Sequence, residues 1–185
     1  LWVLAGVAIA VAPMAGCSGG ASDPVAGDRA TVVRVIDGDT VDVAIGPATE
    51  RVRLLGIDAP ESVAPDVPIQ CYGPEAATAL AQLLPEGTEV RISRDEEARD
   101  RFGRLLLYLH RSEDGLFVNE WLVATGHAAA VSYEPNTTHE ITLYRAERRA
   151  TAERVGLWGS CDGPDQPLDP IPAAESPGGG GGEDG

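Results

Sequence analysis

From Thr31 onward, apolar and polar residues fall into short blocks whose period identifies the elements. Thr31 to Ile36 and Val41 to Ile45 are β-branched runs split by Asp37-Gly38-Asp39, the pattern of two strands joined by a tight turn. Arg51 to Ile57 reads as a third strand, ended by Ala59-Pro60, and Ser62 to Gln70, with two prolines, as a loop. Gly73-Pro74-Glu75 then opens a helix, because proline is tolerated in a first turn and Ala76, Leu80 and Leu83 recur at helical spacing. Gly87 to Arg94 alternates like a half-buried strand. Leu105 to His110 is more continuously apolar, which predicts a strand buried on both faces.

Two further helices complete the pattern. Leu116 to Thr125 places Val118, Leu122 and Thr125 on one face and stops at Gly126, a residue suited to the left-handed position after a helix. Thr137-Thr138-His139-Glu140 has the spacing of a capping box, and Leu143, Ala146 and Ala150 follow at helical intervals. The predicted fold class is α+β, mainly β: a five-stranded barrel of the OB type with three helices.

The two ends follow other rules. Leu1 to Pro13 is almost purely apolar and leads to Met14-Ala15-Gly16-Cys17. A short apolar run before small residues is the mark of an export signal, too short to span a bilayer. Small residues ahead of a cysteine resemble a bacterial lipobox, so 1–17 is expected to be a lipoprotein-type signal with Cys17 as the lipidated residue. A plain signal peptide cut nearby is the other reading. Residues 18–28 read as a tether, 29–161 as the folded domain, and 162–185, acidic and with a five-glycine run near its end, as a disordered tail. The expected location is therefore extracytoplasmic, membrane-anchored or secreted. Outside the cytoplasm the remaining even pair, Cys71 and Cys161, reads as a disulfide; two free buried thiols are the alternative.

Composition narrows the function. The 185 residues include 14 arginines, no lysine and 29 acidic residues, a net charge of −15. A general basic footprint for nucleic acid is absent, so any such function must rest on a local site. The Asp37-Gly38-Asp39-Thr40 turn, the Asp58-Ala59-Pro60-Glu61 strand end and the Arg101-Phe102-Gly103-Arg104 turn are each unremarkable in isolation. Their ordered combination is not. With Arg53-Leu54-Leu55-Gly56-Ile57 before Asp58, Tyr72-Gly73-Pro74-Glu75-Ala76, Val118-Asn119-Glu120 and Pro135-Asn136-x-Thr138-His139-Glu140, the chain resembles the staphylococcal nuclease (thermonuclease) family from about Thr31 to Trp158.

That chemistry suits phosphodiester hydrolysis, in which an anionic substrate gains negative charge at the transition state. Asp39 and Asp58 are hard oxygen ligands suited to Ca²⁺, and the three histidines show no zinc spacing. The resemblance adds the Ala59 carbonyl to the metal shell and implies Arg53 and Arg104 as phosphate forks and Glu61 as the base activating water. It implies cleavage of DNA or RNA at the 5′ P–O bond, leaving 3′-phosphates. Arg101, Phe102 and Tyr133 fall at substrate-contacting positions. Three positions depart from the family pattern: Ala59 replaces a threonine, Arg101-Phe102 replaces Lys-Tyr, and Val131 replaces one of two tyrosines near the base pocket. A non-catalytic, membrane-anchored module for single strands is the competing reading. His139 is expected to cap or pack, Trp121 and Trp158 to lie in the core, and Arg145, Arg148 and Arg149 to form a solvated helix face. No protein partner is evident, and a monomer is expected.

Overall fold

The computed structural model describes residues 28–63 and 68–166. Cys17, the signal and nearly all of the tether lie outside the described residues, as do 64–67 and 167–185.

Five strands close a barrel in the order β1 (Asp28–Asp37), β2 (Thr40–Ile45), β3 (Ala48–Leu54), β6 (Leu105–Arg111), β5 (Glu89–Ser93). All pairings are antiparallel except β3 with β6. Closure removes the exposed sheet edges. Alternate residues of each strand point inward, so Val32, Val41, Val43, Val52, Leu54, Val90 and Ile92 fill one core with Leu105, Leu107 and Leu109. The outward residues of β6 are also covered: Leu106 and Tyr108 form a second cluster with Leu55, against which Phe117 packs. The unbroken apolar run of this strand therefore has two buried faces.

The expected third strand divides. β3 stops at Leu54, Gly56 adopts φ +73°, and Ile57–Asp58 restarts as a separate strand, β4, paired with β7 (Ala129–Ala130). A side chain at Gly56 would strike Leu143, so glycine is required there for space as well as for backbone angle. Asp58 is thereby carried off the barrel onto a small ribbon.

Three main helices pack on the barrel: α1 (Gly73–Leu83), α2 (Val118–Ala124) and α3 (Glu140–Glu153); a single turn, α4 (Leu157–Ser160), follows. Gly126, at φ +71°, ends α2 as expected. Asn119 is fully buried and ties α2 to the strands, its Oδ1 accepting from Leu109 N–H at 3.0 Å and its Nδ2 donating to the Leu55 carbonyl at 2.9 Å. The capping box does not form. His139 holds the cap position of α3 without a side-chain bond, and Thr138 instead gives both its N–H and its hydroxyl to Asp95, each at 2.9 Å. The His139 ring packs edge-on against Tyr108 at 4.5 Å. Trp121 packs against the core and stacks on His127, whereas Trp158, on α4, is only half-buried and lies outside the core clusters, contrary to expectation.

Cys71 and Cys161 are joined in a disulfide, with Cα atoms 5.9 Å apart and 90 residues of separation. It holds the chain beyond Cys161 against the domain: Cys71 N–H donates to the Gln166 carbonyl at 2.7 Å, and Gln70 Nε2 to Asp165 at 3.2 Å. Residues 162–166 therefore belong to the fold rather than to the tail, and at the other end Asp28 belongs to β1 rather than to the tether. Closing so long a loop restricts the unfolded chain, so reduction, or Cys71→Ser with Cys161→Ser, is expected to lower stability by about 2–4 kcal/mol in urea denaturation. An unchanged midpoint would show that the crosslink contributes nothing.

Candidate active site

Register brings the first acidic residue to the first arginine. Thr40 pairs with Arg53 across β2 and β3, and Leu54 N–H donates to the Asp39 carbonyl at 2.9 Å, so the hairpin tip lies beside Arg53. The turn itself is only Gly38-Asp39. Gly38 has no left-handed backbone angle; a Cβ there would lie 2.6 Å from Ala59 Cβ and 2.9 Å from Ala76 Cβ. Its missing side chain lets the tip press against the strand end and α1.

Arg53 joins the two candidate metal ligands. One terminal nitrogen contacts Asp39 Oδ2 and the other lies 2.5 Å from Asp58 Oδ1. Asp39 Oδ2 also accepts the Ala59 N–H at 3.0 Å, and its Oδ1 accepts the Thr40 hydroxyl at 2.9 Å. Asp39, Arg53, Asp58 and Ala59 thus form one cluster. Asp58 remains half-exposed, whereas the Arg53 side chain is 15% exposed. Burial draws the Arg53 pKa below the usual guanidinium value, the charge of Asp58 opposes this, and the like charge of Arg104 adds to it. Arginine is the side chain that stays protonated under such pressure.

Arg104 reaches the same place by another route. It precedes β6, whose Leu105 pairs with Val52, next to Arg53. Asp100 builds the turn before it: Oδ1 accepts the N–H groups of Phe102 and Arg104, both at 2.9 Å, and Oδ2 accepts Arg104 Nε at 2.7 Å. Burial opposes ionisation of Asp100, but these bonds hold its pKa below the ordinary carboxylate value. With Nε so engaged, the terminal nitrogens of Arg104 are the ones left to face a ligand. Arg53, Arg101, Phe102, Arg104 and Tyr133 line a single open cleft of about 610 Å³. Phe102 is 69% exposed, with the Arg101 and Arg104 guanidinium carbons 4.7 and 5.6 Å from its ring centre. Asn136 braces the cleft wall: its Oδ1 accepts Glu97 N–H at 2.8 Å.

Glu61 lies on the loop that folds back against the hairpin tip. Its Oε1 accepts the N–H groups of Ser62 and Val63 at 3.1 and 2.9 Å, and its backbone pairs with Gln70. The carboxylate lies beside Asp37, a residue that sequence reasoning treated only as part of a turn. Burial and the adjacent Glu61 raise the Asp37 pKa, against the lowering effect of bonds from Ser62 Oγ at 2.6 Å and Gly38 N–H at 2.8 Å. Asp37 thereby fastens the Glu61 loop to the hairpin tip. The signal available in the sequence was a second carboxylate in the same turn, two residues before Asp39.

Among the described residues, no three His, Cys, Asp or Glu side chains are grouped closely enough to hold a metal by themselves. The two carboxylates nevertheless converge on one cation, the Arg53 guanidinium, and both offer hard oxygen donors.

Residues 51–160 match the model of the Staphylococcal nuclease homologue family. The thermonuclease of Staphylococcus intermedius is 36% identical over 137 residues, covering 74% of this chain and 80% of its own length. The chain belongs to the staphylococcal nuclease family. The thermonuclease of Staphylococcus hyicus is 34% identical over 129 residues, 70% of this chain and 75% of that protein. Endonuclease YncB of Bacillus subtilis is 35% identical over 130 residues, 69% of this chain and 60% of that enzyme. Membership of this family makes the protein a nuclease, a hydrolase whose substrate is nucleic acid, and the closed five-stranded barrel with three helices agrees with the family's OB-type fold.

Proposed function

We propose that the protein is an extracytoplasmic, Ca²⁺-dependent nuclease that hydrolyses DNA or RNA at the 5′ P–O bond and leaves 3′-phosphates. The observation that carries this reading is that Arg53, which lines the cleft together with Arg104, also joins Asp39 to Asp58, while Glu61 lies beside Asp37 of the adjoining hairpin. Asp39 and Asp58, with the Ala59 carbonyl, would hold Ca²⁺, and the bound ion would supply positive charge against a phosphate oxygen. Arg53 is the cation that the two carboxylates share here; to grip a phosphate it leaves at least one of them. Arg53 and Arg104 then offer planar forks to the oxygens that gain charge as water attacks. Glu61 takes the proton from that water, with its Oε1 held by two backbone donors so that the loop presents the carboxylate in one orientation.

The departures from the family pattern bear on substrate contacts. Phe102 offers an exposed ring but no hydroxyl, and Tyr133, 41% exposed, supplies the stacking surface that Val131 does not. Support for an extracytoplasmic location, with a lipid anchor at Cys17, comes from the apolar N-terminal run and from the disulfide, since such bonds persist in oxidising compartments.

The test is cleavage of single-stranded DNA at graded Ca²⁺. Activity should rise through roughly 10⁻⁴–10⁻³ M, the range of extracellular sites, and vanish with a calcium-selective chelator. Undiminished cleavage in chelator would refute the metal assignment. Tight Ca²⁺-dependent binding of strands without cleavage would favour the non-catalytic module.

A further inference from the structure

We propose that Arg145, Arg148 and Arg149, on the outer face of α3, form a second phosphate-binding surface for the polynucleotide that occupies the catalytic cleft. This proposal rests on the nuclease reading above. Residues 145, 148 and 149 stand at i, i+3 and i+4, so their side chains share one stripe of the helix. The opposite stripe, Leu143, Ala146 and Ala150, is buried in the core, which turns all three arginines to solvent. An open depression of about 400 Å³ lies among them, completed by Ala152 and Glu153.

Many arginines of this protein sit against carboxylates, Arg34 and Arg51 on Asp42, Arg99 on Glu50 and Arg111 on Asp114, while Arg91, Arg94 and Arg101 make no ion pair among the described residues. On α3, three arginines that are unpaired or only loosely paired share one stripe. Arg145 and Arg148 make no ion pair among the described residues, and Arg149 only approaches Glu120, at 3.8 Å with both groups well solvated. Glu153 is the other acid facing the patch. Glu147 points away, accepting the Ala130 N–H at 2.9 Å. Like charges at i+3 and i+4 destabilise a helix. In a chain of net charge −15, three arginines share this stripe with only Glu120 and Glu153 beside them, a local excess of positive charge.

Position favours the substrate as the anion. α3 is bonded through Glu147 to β7, and β7 pairs with β4, which carries Asp58. The patch therefore lies one helix thickness, about 10 Å, behind the ribbon that bears the metal-site carboxylate. A two- or three-nucleotide substrate would fill the cleft alone; a long strand could also reach α3. Exposed arginines without base-specific partners bind phosphates regardless of sequence.

The test compares full-length protein with Arg145→Gln/Arg148→Gln/Arg149→Gln, and with the corresponding triple Lys variant, which keeps the charge. Binding of a 30-nucleotide single strand is followed by fluorescence anisotropy in chelator, and cleavage of long and trinucleotide substrates is followed in Ca²⁺. The Gln variant should bind the long strand about 10-fold more weakly, with its salt slope reduced by about 2, since each lost phosphate contact removes about 0.7 on a single strand. Its KM should rise for the long substrate only, kcat for the trinucleotide should hold, and its melting temperature should stay level or rise. The Lys variant should retain the affinity. Long-strand affinity and salt slope equal to the parent's would overturn the proposal. So would retained strand affinity together with lost binding to phosphatidylglycerol vesicles, which would assign the patch to a membrane. If the parent cleaves nothing, the nuclease reading has failed, and the anisotropy comparison still decides whether α3 binds strands.

Discussion

Glu61→Gln is expected to abolish most cleavage, by about 10²–10⁴-fold in kcat, while single-strand binding in Ca²⁺ survives. The substitution is structurally mild. A glutamine carbonyl can still accept from Ser62 and Val63 N–H, so the loop keeps its anchors. It also removes one of two adjacent carboxylates and relieves Asp37, whose pKa burial and Glu61 together raise. Loss of activity would therefore report loss of the base rather than collapse of the site, and unchanged circular dichroism with retained strand affinity would check this. One fewer negative charge facing the phosphate should tighten binding, if it changes at all. A Gln variant that turns over near the parent rate would mean that the water is activated by the metal or by solvent.

Arg53→Lys and Arg104→Lys are each expected to lower kcat by about 10²-fold or more although the charge is conserved. Lysine places one ammonium where arginine places a planar fork. At position 53 it cannot span Asp39 and Asp58 as the guanidinium does, and the side chain is buried enough that misplacement is not absorbed by solvent. At position 104 the substitution removes the Nε that Asp100 uses to aim the group. Single-turnover cleavage rates, with a thermal melt to confirm folding, measure the effect. If both variants stay within a few-fold of the parent, neither residue is a phosphate clamp.

The local period of the chain was sufficient for most elements, because β-strands and amphipathic helices bury one face at intervals readable in one dimension. β6 is the clearest instance: its unbroken apolar run announced two buried faces. Gly126 and Pro74 marked helix ends through backbone limits that belong to the residue itself. The acidic and basic residues of the candidate site were named from their motifs, and the structure brings Asp39, Arg53 and Asp58 into one cluster. What the sequence could not supply was every feature that depends on two distant segments meeting. His139 rather than Thr137 came to hold the cap position of α3, while the neighbouring Thr138 is bonded to Asp95, 43 positions away. The third strand breaks at Gly56, whose left-handed backbone angle and contact with Leu143 of α3 both call for glycine. Gly38 looked like a turn glycine, yet it is there to let Ala59 and Ala76 approach. Asp37 acquired its role only when the Glu61 loop folded back onto the hairpin tip, and Arg53 became the bridge between Asp39 and Asp58 only through the β2–β3 register and the β4 ribbon. Residue types and their local periods are written along the chain; burial, charge pairing and steric exclusion among remote residues come into being only when the barrel closes and the helices pack on it.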